Sequence, residues 1–201
     1  MRGLVLAAGD GAIRMVTLAP ERPGSEWHGS ALLTLGELEF AVGNFEAARA
    51  AAIKARETFA HLNTAPLALA LCNVAAYAMA VDDFDEARAA LREALQLLKQ
   101  SGARWMTTAL EHHAVLGGLA GDHERAAAIV GFTDAAYDDA SRQRTEQYGY
   151  DRLMRALSAA YDASELARRM SAGAGLTEEQ VLELAAAISQ HTARSQAAGA
   201  A

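Results

Sequence analysis

The sequence predicts an all-α superhelix of stacked antiparallel helical hairpins, and three observations carry the prediction. One short motif recurs three times: Gly43-Asn44-Phe45-Glu46-Ala47-Ala48-Arg49, then Asp82-Asp83-Phe84-Asp85-Glu86-Ala87-Arg88, then Gly121-Asp122-His123-Glu124-Arg125-Ala126-Ala127. Both intervals, Gly43 to Asp82 and Asp82 to Gly121, are 39 residues, and a fixed period of this size is the signature of a helical repeat array. The composition agrees. Of the 201 residues 52% are apolar, mostly alanine and leucine, with 6% aromatic and three prolines, and Ala and Leu lead the helix-propensity scale.

Each motif reads as a polar turn followed by a helix start with a first-turn carboxylate. The first full repeat opens at Ser25, an N-cap residue type, after the helix-breaking loop Ala19-Pro20-Glu21-Arg22-Pro23-Gly24. Its first helix carries Leu32, Leu35, Gly36 and Phe40 at helical spacing, and its second carries Phe45, Ala48, Ala52, Ala55 and Phe59. The second repeat matches these with Leu71, Val74, Ala75 and Met79, then Phe84, Ala87, Leu91, Ala94 and Leu98. The third gives Leu110, His113, Ala114 and Gly118, then His123, Ala126, Val130, Thr133 and Tyr137. Small residues at Gly36, Ala75 and Ala114, and at Ala48, Ala87 and Ala126, let paired helices cross closely. A lone repeat cannot bury its own apolar face, so the stack is the folding unit.

The ends depart from the period. Residues 1–24 read as a degenerate half-repeat with its turn at Gly9-Asp10-Gly11, 34 residues before Gly43, followed by the proline loop. Residues 25–140 form the three hairpins. Residues 141–190 are expected to cap the stack. Ser141 to Glu146 reads as a polar linker, and Tyr148 to Met170 as one or two helices. Ser171 to Gly175 reads as a flexible loop, and Thr177-Glu178-Glu179-Gln180 as a capping box. The helix it starts, with Val181, Leu182, Ala185 and Ile188, is expected to close the open end. Residues 191–201 are small and polar enough to form a disordered tail.

Charge and cysteine content narrow the function. The formal net charge of −7 lacks the basic stripe of a nucleic-acid surface, and the only lysines are Lys54 and Lys99. The single cysteine, Cys72, excludes an internal disulfide and fits a reducing cytoplasm. The apolar start of the chain is short and broken by glycine, so it is read neither as a targeting segment nor as a membrane span.

The three full repeats resemble tetratricopeptide-type hairpins, whose period of about 34 residues the interval from Gly9 to Gly43 matches. The stretch from Glu124-Arg125-Ala126-Ala127-Ala128-Ile129-Val130-Gly131 through Gly175-Leu176-Thr177-Glu178-Glu179-Gln180-Val181 is similar to the C-terminal end of large bacterial LuxR-type regulators of the signal-transduction ATPase class. The likeness runs from about Gly24 to Gln190 and rests on patterns of Ala, Leu and Gly. It implies a detached interaction module of bacterial transcriptional regulation. The chain has no phosphate-binding Gly-x-x-x-x-Gly-Lys-Ser/Thr loop and no basic recognition helix.

In hairpin arrays the first helices line the concave side. The register then places Ser30, Leu33, Glu37 and Phe40 there, followed by Leu69, Cys72, Asn73, Ala76 and Met79, and by Thr108, Glu111, His112 and Val115. This largely apolar set suits an amphipathic helix, an extended apolar peptide or a small apolar ligand. The same face could instead be covered by the chain's own C-terminal helices or by a second copy. Glu111-His112-His113 with His123 holds the metal-ligand residue types. Adjacent helical histidines diverge by about 100°, however, and do not share an ion, so no metal site is expected. Cys72 lacks a basic neighbour that would favour a thiolate. Trp27 and Trp105, early in their helices, are expected to pack between repeats.

The sequence therefore predicts a non-catalytic, cytoplasmic module without cofactor that binds a protein, a peptide or a small ligand, and neither nucleic acid nor membrane. The alternative is a homodimer scaffold joined through an apolar end near Leu4, Val5 and Ile13.

Overall fold

The computed structural model describes residues 25–61, 65–101, 105–137 and 142–190. The half-repeat at 1–24, with its self-association residues Leu4, Val5 and Ile13, and the tail at 191–201 lie outside them. Nine helices are described: α1 (Glu26–Ala41), α2 (Phe45–Phe59), α3 (Ala65–Ala80), α4 (Phe84–Ser101), α5 (Met106–Leu119), α6 (His123–Tyr137), α7 (Arg144–Ala160), α8 (Ala163–Ala174) and α9 (Glu178–Gln190). No strand occurs among the described residues.

Helices α1 to α6 form the three hairpins α1/α2, α3/α4 and α5/α6, stacked in order. Their core is the expected stripe: Leu32, Phe40, Ala48, Ala52 and Phe59, then Leu71, Val74, Leu91 and Leu98, then Leu110, Ala126 and Val130 are all buried. The close crossing of paired helices is also as expected, since a Cβ at Gly36 would meet the Ala48 carbonyl oxygen at 3.3 Å. Ser25 caps α1 by accepting from the His28 N–H at 3.2 Å.

The repeated motif is a repeated backbone device. Gly43, Asp82 and Gly121 have φ of 88°, 60° and 90° at the same repeat position. The next N–H reaches back five residues each time: Asn44 to the Glu39 carbonyl at 2.9 Å, Asp83 to Ala78 at 2.9 Å, and Asp122 to Gly117 at 2.8 Å. This is the Schellman stop, which satisfies the last carbonyls of a helix and needs one left-handed residue. Aspartate is among the non-glycine residues that tolerate that conformation, so Asp82 can stand where its two counterparts are glycine.

The motif residues also tie one repeat to the next. Arg49 donates to Asp83 at 2.8 Å and to Glu86 at 2.5 Å in the following motif. The third motif breaks this ladder, because Arg125 stands where Glu86 stood. Arg88 then turns back to Asp85 at 2.6 Å within its own helix.

The C-terminal helices depart from the sequence expectation in three ways. The polar linker is largely the start of α7: Gln143 and Glu146 form a reciprocal capping box, and Thr145 is buried. The expected flexible loop at 171–175 is mostly the end of α8, whose Gly173 is buried. There α8 crosses α6 at van der Waals closeness, and a methyl group at Gly131 or Gly173 would overlap the carbonyl of Met170 or Ala128. The last helix also reaches beyond the last hairpin. α9 begins at the expected Thr177/Gln180 box and folds back onto α4, α5 and α6, while α8 covers α6. Ile188 of α9 enters the notch left by Gly117, and the Ser189 carbonyl accepts from Arg92 at 2.8 Å. Trp27, expected to pack between repeats, is 83% exposed.

Candidate functional site

α7 lies across the face made by the three first helices, touching α1, α3 and α5. Aromatic packing seats it. The Tyr148 ring meets Phe40 edge-on at 5.3 Å and Phe45 at 5.5 Å, and Phe40 stacks on Tyr77 at 5.2 Å. Such pairs each add about 1 kcal/mol beyond the area they bury. Polar anchors hold it at its middle and just before its start. Arg152 donates to the Met79 carbonyl at 2.5 Å and to Asp82 at 2.7 Å. Arg142, just before α7, donates to Glu111 at 2.8 Å and also to Asp134. Its guanidinium lies 3.8 Å from the Tyr150 ring centre and 4.7 Å from that of Tyr137.

The sequence-predicted face is thereby divided. Phe40, Ala76, Met79 and Val115 are buried, and the last three pack against Tyr148, Gly149 or Arg152 of α7. They are the seat of an internal helix and not open surface. Glu111 is fully buried and committed to Arg142; burial pushes its carboxyl up to about 7 against the pull of the guanidinium. Cys72 is fully buried, and desolvation pushes its thiol up to about 12, which leaves no thiolate for chemistry. Ser30 is exposed on α1.

The remaining members come together. Leu33 and Glu37 of α1, Leu69 and Asn73 of α3, and Thr108 and His112 of α5 wall a cavity of about 160 Å³, roofed by Gln143, Thr145 and Glu146 at the start of α7. Trp105, at the start of α5, completes the wall. Two carboxylates face this space, each held by neutral donors. Glu37 accepts from the Tyr77 hydroxyl at 2.9 Å and the Thr145 hydroxyl at 2.7 Å. Glu146 accepts from the Thr108 hydroxyl at 3.1 Å and the Gln143 N–H at 2.8 Å. His112 is 2% exposed, and burial lowers its pKa to about 4, so its ring is neutral near pH 7. Asn73 is 8% exposed.

His113 packs as its stripe position predicts. It is fully buried, with Nδ1 2.7 Å from the Ala109 carbonyl oxygen, and burial lowers it too to about 4. The hydrogen bond assigns the proton to Nδ1. The two adjacent rings thus serve different environments. Among the described residues no group of three or more His, Cys, Asp or Glu side chains could hold a metal ion.

Arg142, Thr145 and Tyr150 were absent from the sequence-predicted site. Arg142 looked like one more residue of a polar linker, and its partners Glu111 and Asp134 sit on two other helices. The only local signal is weak: Gln143-x-x-Glu146 has the spacing of a capping box but lacks the Ser or Thr that usually starts one.

No protein-family model matches this chain, and no curated protein matches it. Among solved structures it is similar to a crystal structure described as the nearly identical TPR-like repeats of a kinesin light chain from Podosopora anserina, at a TM-score of 0.59 and 16% identity. The match covers 96% of this chain and 91% of that one. The fold is a tetratricopeptide-like superhelix. Among the described residues no helix is long and apolar enough to cross a membrane.

Proposed function

We propose that this chain is a non-catalytic protein-interaction module whose concave face receives an amphipathic helix. The observation that carries the reading is α7 itself, which lies in that face as a bound helix would, with Tyr148 seated between Phe40 and Phe45. Helix-in-groove recognition uses apolar anchors at helical spacing with polar contacts at the rim, and the contacts of α7 follow that pattern. A partner would either extend along Leu33 and Leu69 beside α7 or displace it. The tetratricopeptide-like fold supports the reading by analogy of architecture alone.

The test is capture of partners by the native chain, compared with Leu33→Glu/Leu69→Glu and with Arg142→Glu, which removes the anchor of α7. Loss of a specific partner in the first variant, at unchanged helical signal, supports the groove. Equal capture by all three proteins overturns it. A place within bacterial transcriptional regulation rests on the sequence likeness of residues 124–181 alone. A neighbouring gene for an ATPase or DNA-binding protein would support it.

A further inference from the structure

We propose that the cavity between Glu37, Asn73, His112 and Glu146 binds a protonated primary amine carried on a short apolar stem. The site needs no partner helix, so it goes beyond the interaction reading and fails separately from it.

Charge gives the sign of the ligand. Glu37 and Glu146 face the cavity with hydroxyl and backbone N–H partners, and among the described residues no lysine or arginine lines it. Elsewhere the carboxylates of this face are paired: Glu111 and Asp134 with Arg142, and Asp82 with Arg152. Two half-buried carboxylates without a cationic partner among the described residues attract a cation to the space they line. An anion is disfavoured even though a helix begins here, since the capping box already uses the α7 end through Gln143 and Glu146.

Hydrogen bonding gives the head group. Asn73 and His112 are more than nine-tenths buried, line the cavity, and make no side-chain hydrogen bond. The neutral imidazole and the Asn73 carbonyl both offer lone pairs, and the carboxylates accept further bonds. An ammonium has three donors and no acceptor, which matches a wall of acceptors. Leu33 and Leu69 give the rest of the ligand apolar contact. The cavity is about 160 Å³, close to the roughly 150 Å³ that holds a benzene ring. The amine could belong to a free small molecule or to the lysine side chain of a partner.

The experiment titrates the full chain with benzylamine, benzyl alcohol and benzoate, following thermal stability and calorimetric heat. Benzylamine should bind at least about tenfold tighter than benzyl alcohol, and benzoate should not bind. Glu37→Gln and Glu146→Gln keep side-chain size and the capping pattern, and each should weaken benzylamine about tenfold with an unchanged helical signal. If Glu37→Gln unfolds, Glu146→Gln alone decides. Equal affinity for benzylamine and benzyl alcohol, or unchanged benzylamine affinity in the folded Gln variants, overturns the proposal. Nα-acetyl-lysine amide, whose side-chain ammonium is free, identifies the source: binding tighter than benzylamine assigns the site to a lysine side chain, and weaker binding to a free amine. Absence of binding by both amines rejects it.

Discussion

The Arg142 guanidinium donates at 2.8 Å to Glu111, a carboxylate with no exposed side-chain surface, and so ties the start of α7 to the third hairpin. Removing one member of a buried pair strands the other, at a cost of about 3–5 kcal/mol. Arg142→Ala should therefore lower unfolding stability by about that much in urea above pH 7, where Glu111 is ionised in the intact pair. Glu111→Gln on that background should restore a large share of it, because the stranded charge is gone. A double variant no more stable than Arg142→Ala would show that the pair does not act as a pair.

The three helix stops give a cleaner test of backbone strain. Nothing lies within 4 Å of a Cβ built at Gly43, so Gly43→Ala should cost about 1 kcal/mol through its positive φ alone. Asp82→Gly relieves the same strain but loses the exposed contact to Arg152, so it should change stability by less than about 1 kcal/mol. Urea midpoints of the two variants check the contrast.

The α6–α8 crossing should be intolerant of any side chain. Gly131→Ala and Gly173→Ala each place a methyl group against backbone, and overpacking of this kind costs about 1–3 kcal/mol. Gly175→Ala, where a Cβ would sit 3.6 Å from the nearest atom, should be close to neutral. Thermal melts of the three variants side by side would expose an error in the crossing.

Stability should rise with pH between about 5 and 6.5. Unfolded histidines take up protons below 6.5, whereas His112 and His113 in the fold resist until about 4. Their contribution is therefore present above 6.5 and is lost as pH falls. Glu111 opposes them, since its folded carboxyl holds a proton up to about 7 while the unfolded one releases it near 4.5. Two groups against one leave a net slope of about 1 kcal/mol per pH unit. His113→Asn should flatten the profile and Glu111→Gln should roughly double its slope, as read from urea midpoints at pH 5.0, 5.75 and 6.5.

Much of the molecule was legible because its information is local. The 39-residue period, the polar turns at Gly43-Asn44, Asp82-Asp83 and Gly121-Asp122, and the caps at Ser25 and Thr177 depend on near neighbours. So does the inward position of His113. Of the face that the register named, Leu33, Glu37, Leu69, Asn73, Thr108 and His112 line one cavity.

What covers that face was decided by the tertiary structure. Composition marks Arg142 to Glu146 as polar, yet Arg142 finds Glu111 and Asp134, and Thr145 finds Glu37 across a separation of 108 residues. The placement of α9 against α4, α5 and α6 likewise depends on contacts with helices far away in the chain, which no window of sequence contains. The sequence by itself determined the hairpins, their stops and their register, because those follow from propensity and spacing within one or two turns. The tertiary structure decided that α7 lies across the three first helices and roofs a cavity lined by Glu37 and Glu146, because that outcome is a competition among long-range contacts.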